Sequence, residues 1–254
     1  MIEICNILPS NCINEQMPRQ KYELYLTHKI LENPKKFEFL ANEKGVSYKI
    51  LDNSACELGE GLDFAKVLEA AEVIGADEVV LPDLPRKGNS LAYTLKYLID
   101  VPTDCKYKLA AVVQGETEEE ILTCAEQILQ LKRINTIMIP KWYCQLNSSN
   151  GLGRHVLTKK IIMLMDALQA KKEIHWLGLD TGIRELITPL VQIVRSVDTG
   201  LFAAYSTPQW EKMNICSERP RELKIDLEQM DVDMNKWSKY LQQQQQIIGE
   251  MKNV

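Results

Sequence analysis

The sequence lacks the features that mark several large classes of protein. Its seven cysteines occur singly, without a CxxC or CxC pair, and its three histidines are far apart. These absences argue against a structural zinc site and favour reduced thiols in a cytosol. No apolar run approaches the roughly 20 residues of a membrane span, and the N-terminus has no charged-then-apolar signal pattern. We therefore expect a cytoplasmic protein with no membrane partner, no metal and no cofactor.

Two further absences concern nucleotides and nucleic acids. The chain has no GxGxxG or GxxxxGK[ST] loop, so the common phosphate-binding signatures are missing. Its formal net charge is −5 and its sequence pI is about 5.4, so there is no excess of positive charge to indicate nucleic-acid binding. An average of this kind does not exclude a local basic strip.

What the sequence does contain is an alternation of short apolar runs with longer helical patterns. Seven runs are predicted to be strands, at 2–8, 47–52, 77–83, 108–115, 135–140, 173–180 and 195–200. Several are almost continuously apolar, which is typical of parallel strands buried on both faces. Strand–helix alternation over 254 residues predicts an α/β protein with a single (β/α)8 TIM-type barrel, in which the eighth strand is not placed. A doubly wound open sheet is the alternative.

Helical patterns fill the gaps and continue after the last strand. They span 18–45 with a break at Asn33-Pro34, 61–77 with an end at Gly75, 116–133, and 222–253. The last of these carries Trp237 and Leu241 at roughly helical spacing, beside a run of five glutamines. We predict a barrel domain at 1–221 and a helical extension at 222–254 that packs on it, with a dimer contact as the alternative role of the extension.

Polar side chains follow the apolar runs directly, at Asp52, Asp83, Gln114, Asp180 and Asp198. In a barrel these positions form the C-terminal mouth, where active sites are built, and in an open sheet they form the ligand crevice. Helix caps and Asx turns are the ordinary alternative, which we prefer for Asp180. Two carboxylates in one apolar-walled cleft acquire separate pKa values, so that one serves as nucleophile and the other as acid or base. Asp52 and Asp198 are the candidates for such a pair.

The order of five segments resembles the tRNA-guanine transglycosylases, and more closely their phage and bacterial relatives that insert 7-deazaguanine bases into DNA. These segments are LDNSACELGEG, VVLPDLP, AVVQGETEEE, HWLGLDTGIRELI and SVDTGLFAAYS, within about residues 47–206. The resemblance implies that Asp198 is the nucleophile and Asp52 the general base. It also implies that the substrate base is bound by Asp83, Gln114, Gly115 and Ser54.

The chain departs from the tRNA enzymes in three places. It has no CxCxxC zinc subdomain, its TIMIPKW segment replaces the glycine-rich strand after VQG, and GLFAAYS replaces the arginine-bearing segment after the nucleophile. These departures favour DNA over tRNA as the nucleic acid.

A nucleic-acid substrate requires cations near the mouth to meet its phosphates. Cationic residues after strand ends are predicted to supply them, namely Arg86, Lys87, Lys141, Arg154 and Arg184. Trp142 or Tyr143 is predicted to stack on a neighbouring base. Solvated loop cations with no ligand are the alternative.

The sequence and the resemblance together predict a pentosyltransferase that exchanges guanine for a 7-deazaguanine base through a covalent Asp198 intermediate. The expected partners are the free base and a nucleic acid, with a homodimer or a helper protein as further candidates. The location would be the host cytoplasm if the protein is encoded by a phage. Alternatives are a non-catalytic subunit that binds nucleic acid or a partner, a tRNA enzyme without the zinc subdomain, and an unrelated barrel hydrolase with a metal.

Overall fold

The computed structural model describes residues 2–43, 45–147, 151–179, 185–186, 188–200, 203, 206–207 and 231–250. Within these ranges eight parallel strands close into a barrel in chain order, with β1 paired to β8. The strands are β1 (Glu3–Asn6), β2 (Tyr22–Leu26), β3 (Tyr48–Asp52), β4 (Glu78–Val80), β5 (Lys108–Val112), β6 (Ile134–Pro140), β7 (Glu173–Leu177) and β8 (Ser196–Thr199). The predicted (β/α)8 barrel is confirmed, and the open sheet is excluded because β1 and β8 are hydrogen-bonded.

The strand that the sequence analysis did not find is β2. It pairs with β3 over its whole length, from Tyr22 opposite Tyr48 to Leu26 opposite Asp52. Its Tyr22, Leu24 and Leu26 pack with the apolar cluster inside the barrel, so the segment YELYL has the two-residue period of a strand. The predicted helix over 18–45 is therefore wrong at 22–26. A five-residue alternation is easily absorbed into the longer helical pattern that follows it.

The α-helices of the described residues surround the barrel of strands. They are α1 (Thr27–Glu32), α2 (Pro34–Phe37), α3 (Ala55–Leu58), α4 (Phe64–Ile74), α5 (Ser90–Asp100), α6 (Glu118–Gln130), α7 (Gly153–Ala167) and α8 (Met234–Glu250). The predicted break at Asn33-Pro34 separates α1 from α2, and Gly75 ends α4 in a left-handed conformation with φ 59°. None of the helices in the described ranges combines the length and apolarity needed to cross a membrane.

The C-terminal helix α8 contributes one aromatic side chain to the protein interior. Trp237 is fully buried and belongs to the main hydrophobic core, and the Asp233 N–H before the helix donates to the Ser206 carbonyl at 2.9 Å. Residues 222–230 lie outside the described residues, so the division at residue 221 stays a prediction.

Alternation along the strands separates two apolar layers. One cluster fills the barrel interior and draws on β1 to β6, with members Cys5, Leu24, Ile50, Val80, Ala110, Val112 and Met138. The larger cluster lies between the strands and the helices, and includes Leu51, Val79 and Trp176. Because side chains alternate across a strand, Asp52 shares the inward side of β3 with Ile50. This two-residue period is what directs a polar residue at a strand end into the mouth.

The N-terminal end of the barrel is closed by a buried ionic cluster. The Arg195 guanidinium donates to Glu78 at 2.6 Å and to Glu173 at 2.9 Å, and the Tyr48 hydroxyl donates to Glu78 at 2.7 Å. Burial is the largest single influence on the Glu78 carboxyl and raises its pKa. The Arg195 charge and the hydrogen bonds that Glu78 accepts together outweigh burial, so the pKa is lowered. Each charged group of this cluster therefore has a partner of opposite charge, which a buried charge requires. In barrels of this kind the N-terminal face serves stability, whereas the C-terminal face carries the active site.

Candidate active site

Asp52 is the last residue of β3 and Asp198 the penultimate residue of β8, and both lie on the inner side of the barrel at its C-terminal mouth. Asp198 lies opposite Cys5 in the β1–β8 register, and only 5% of its surface is exposed. Burial raises the pKa of Asp52 well above its ordinary value, and the negative charges of Glu57, Asp83 and Asp198 raise it further. The two predicted catalytic acids therefore share one electrostatic environment, although their strands are not neighbours.

A tight turn holds the Asp52 carboxylate. The Ser54 N–H donates to Asp52 Oδ2 at 2.7 Å, and Ser54 has a left-handed backbone with φ 63°. The turn leads directly into the short helix α3, which the sequence analysis did not expect. The Ser54 hydroxyl is fully buried and accepts a 3.2 Å hydrogen bond from the His28 N–H. The predicted contact of Ser54 with substrate is thus replaced by a structural one, because its backbone orients Asp52 and its side chain anchors α1.

Glu57 is a third acid of the mouth that the sequence analysis did not single out. Partial desolvation raises its pKa, the Asp198 charge raises it further, and Lys141 lowers it. Glu57 lies five residues after Asp52, on the first turn after β3, and this spacing is the sequence signal that could have placed it at the mouth. Within the residues that the structure describes, no group of three or more His, Cys, Asp or Glu side chains is arranged to hold a metal ion.

Asp83 and Gln114 form the second part of the site. Asp83 Oδ2 accepts from the Gln114 side-chain amide at 2.5 Å, and Oδ1 accepts from the Asn53 amide at 2.8 Å. Burial raises the pKa of Asp83 to about 6, and these two hydrogen bonds oppose the shift. Gln114 Oε1 in turn accepts from the Arg86 N–H at 2.9 Å. The structure joins Asp83 and Gln114, whose contact with a base stays a prediction, and adds Asn53, which the sequence analysis did not select.

Asp198 is held by two donors from β7 and the residue after it. His175 Nε2 lies 3.0 Å from Asp198 Oδ1, and the Gly178 N–H donates to the same oxygen at 3.0 Å. His175 is fully buried and contacts the predicted nucleophile. Gly178 has φ 70°, and a Cβ there would lie 2.7 Å from Lys141 Cδ. The Lys141 side chain therefore crosses the end of β7 close to the mouth.

An open groove adjoins the Gln114 side of the mouth. Its volume is about 770 Å³, and its lining includes Arg86, Gly115, Lys141 and Trp142. The Arg86 guanidinium lies 5.3 Å from the centroid of the Trp142 ring. Arg86, Lys87 and Lys141 are exposed, so these three predicted phosphate contacts are sterically available.

Arg154 does not belong to this surface. It is fully buried at the start of α7, where its Nε donates to Glu185 Oε1 at 2.8 Å and its Nη1 to the Leu177 carbonyl at 3.1 Å. The prediction that Arg154 contacts a phosphate is therefore wrong. Its position after a strand is as expected, but Glu185, from a segment 31 residues later, encloses its charge. Asp180 and Arg184 lie outside the described residues.

Comparisons with known proteins add little to this geometry. No protein-family model matches the sequence, and no curated protein matches it. Among solved structures, the chain is similar to a HpcH/Hpal aldolase/citrate lyase family protein from Burkholderia cenocepacia J2315, at 8% identity and a TM-score of 0.48. That match covers 79% of this chain and 89% of the other. A likeness of this degree carries no information about activity, and the barrel itself is established by the strand pairing.

Proposed function

We propose that the protein is a pentosyltransferase that exchanges guanine for a 7-deazaguanine base in nucleic acid, with DNA as the preferred substrate. The observation that supports this most is the pair of inward carboxyls at the mouth, Asp52 and Asp198. The contacts of Asp198 on Oδ1 suit a nucleophile, while burial and neighbouring acids favour the protonated form of Asp52. One nucleophile and one proton donor are what substitution at a glycosidic carbon requires.

The first half-reaction breaks the bond between C1′ and the guanine ring nitrogen. Asp198 attacks C1′, the bonding electron pair leaves with guanine, and Asp52 gives its proton to the departing ring. The products are a covalent glycosyl-Asp198 ester, a neutral guanine and an ionised Asp52. Dividing the substitution into two displacements at C1′ is the advantage of a carboxylate nucleophile.

The second half-reaction is the reverse, with a different base. Ionised Asp52 takes the ring N–H proton of the incoming 7-deazaguanine, whose nitrogen attacks C1′ and displaces Asp198. The proton that left with guanine is thereby replaced, and both carboxyls return to their starting states. A single acid that alternates between donor and acceptor is efficient when its pKa lies near the working pH, which is the direction of the Asp52 shift.

Recognition of the base is assigned to Asp83, Gln114 and Gly115. The two carboxylate oxygens of Asp83 match the N1–H and exocyclic amine of a guanine-type edge. In the structure these oxygens accept from Asn53 and Gln114, so a bound base either shares or replaces those donors. The groove beside Gly115, with Arg86 and Trp142, lies where the rest of the nucleic acid would leave the mouth.

A base-exchange assay tests the function. Labelled guanine or 7-deazaguanine is offered with duplex DNA, single-stranded DNA and tRNA in separate reactions. We expect incorporation into DNA, and loss of at least about 10³-fold in rate for Asp198→Ala. Incorporation only into tRNA would support the tRNA enzyme without a zinc subdomain. Nucleic-acid binding without any incorporation would support the non-catalytic subunit and overturn the proposal.

A further inference from the structure

A line of buried polar side chains runs inside the barrel from its N-terminal end to Asp198. Arg195 Nε lies 3.1 Å from Ser196 Oγ, Ser196 Oγ lies 2.8 Å from His175 Nδ1, and His175 Nε2 lies 3.0 Å from Asp198 Oδ1. Ser196 and His175 are register partners on β8 and β7, and both are fully buried. Asp198 follows two residues after Ser196, one layer nearer the mouth. The ionic cluster of Glu78 and Glu173 is thus connected to the predicted nucleophile through Arg195.

Donor and acceptor roles along this line follow from its two ends. Arginine is always protonated and only donates, so Ser196 Oγ accepts from Arg195, and its remaining lone pair or its own hydrogen meets His175 Nδ1. A carboxylate only accepts, so the hydrogen of the imidazole lies on Nε2 and is donated to Asp198. Whichever role the serine takes toward Nδ1, the carboxylate requires that His175 Nε2 carries a hydrogen.

A serine, a histidine and an aspartate in series also resemble a hydrolase triad, and the structure excludes that role. Ser196 is fully buried beside His175, two residues before Asp198 and away from the mouth, and its oxygen accepts from a guanidinium. A hydroxyl held in this way has no path to a substrate. Of the members of the line, Asp198 is the one that reaches the mouth, so any chemical consequence of the line is expressed through Asp198.

We propose that His175 is a positioning residue for Asp198: its Nε2–H, together with the Gly178 N–H, holds Oδ1 so that Oδ2 is the oxygen that attacks C1′. This inference rests on the proposed base exchange. Two donors on Oδ1 draw negative charge to that oxygen and fix the rotation of the carboxylate. A fixed carboxylate is already in the orientation of attack, which reduces the entropic part of the barrier. In the ester intermediate Oδ2 is bonded to C1′, and Oδ1 is the carbonyl oxygen that keeps both hydrogen bonds.

Three variants separate this role from simple packing. His175→Phe fills the space without a donor, and we expect kcat for exchange to fall about 10²-fold with little change in KM for the free base. His175→Gln retains a side-chain N–H and should recover at least part of the loss. His155→Phe removes the buried imidazole of α7, which has no contact with Asp198, and should leave kcat near that of the wild type. If His175→Phe fails to fold, Ser196→Ala replaces it, since loss of the serine hydroxyl removes the partner that holds His175 Nδ1 and should reduce kcat less.

The tautomer gives a second measurement that needs no activity. Selective ¹⁵N labelling of the three histidines reports which ring nitrogen carries hydrogen, and we expect a hydrogen on His175 Nε2. A His175 ring with hydrogen on Nδ1 and none on Nε2 would overturn the inference, as would wild-type kcat in both His175→Phe and Ser196→Ala. A wild-type protein that exchanges no base with any nucleic acid would instead refute the proposed function, and the inference would fall with it. The outcome for the wild type therefore distinguishes the two failures.

Discussion

Gln114 donates a 2.5 Å hydrogen bond to Asp83 across the mouth of the barrel, from the end of β5 to the end of β4. Asp83 is almost completely buried, and Asn53 occupies its other oxygen. A carboxyl with two amide donors and little contact with water is prepared to accept hydrogen bonds but expensive to ionise. This balance makes stability depend on pH in the range where Asp83 titrates, and the proposed base binding would depend on pH in the same range.

The first prediction concerns stability and Asp83. Its pKa in the folded protein is about 6, above its ordinary value of 3.8, so the folded state favours the protonated carboxyl. The resulting stabilisation is complete below about pH 4 and is lost as the pH rises through 6, by about 3 kcal/mol in total. Asp83→Asn cannot titrate, so wild type should lose about that much free energy of unfolding relative to the variant between pH 4 and pH 7.5. Urea denaturation at several pH values measures it, and parallel pH profiles would contradict it.

The second prediction concerns the backbone that holds Asp83. Gly61 donates its N–H to the Asp83 carbonyl, and a Cβ at Gly61 would lie 2.7 Å from both Asp83 N and Pro82 Cα. Gly61→Ala should therefore displace Asp83, lower stability by about 1–3 kcal/mol and raise KM for the free base. Gly88→Ala is the control, because its added Cβ would meet only the flexible end of Glu120. Equal KM values for the two variants would show that Gly61 does not position Asp83.

The third prediction concerns the groove. If Arg86 and Lys87 contact phosphates, each substitution to glutamine should weaken DNA binding and reduce the slope of log K against log salt concentration by about one. Lys66, exposed on α4 outside the barrel, provides the control, and Lys66→Gln should change neither quantity. Fluorescence anisotropy with single-stranded and duplex DNA at several salt concentrations measures both the affinity and the slope. A slope that is unchanged in Arg86→Gln would remove this residue from the interface.

The fourth prediction concerns Arg154 and Glu185, a completely buried ion pair. Arg154→Met removes the guanidinium that neutralises the buried Glu185 charge, so we expect a loss of about 3–5 kcal/mol in stability. A second substitution, Glu185→Leu, removes that buried charge as well and should restore part of the loss. The salt dependence of DNA binding should stay that of the wild type. A reduced slope in a folded Arg154→Met protein would reinstate Arg154 as a phosphate contact.

Local patterns in the sequence were sufficient for much of the architecture. Gly75 ends α4 with a left-handed residue as predicted, because such a signal acts over one helical turn. The strand-end positions of Asp52, Asp83, Gln114 and Asp198 also follow from sequence, since a two-residue period fixes which side of a strand a residue takes. Strand β2 was missed because five residues carry too little periodicity to outweigh the helical pattern beside them.

Only the tertiary structure decided which of these residues meet. Closure of the barrel places β8 beside β1 and β7, so His175 and Asp198, 23 residues apart, share a hydrogen bond that no local pattern announces. The same long-range contacts buried Arg154 against Glu185 and left Arg86 exposed, although both arginines follow strand ends. A side chain's role at the mouth depends on burial and on partners from distant segments. Sequence determines the strand-end position of such a residue, whereas packing determines whether its charge faces a ligand or another residue.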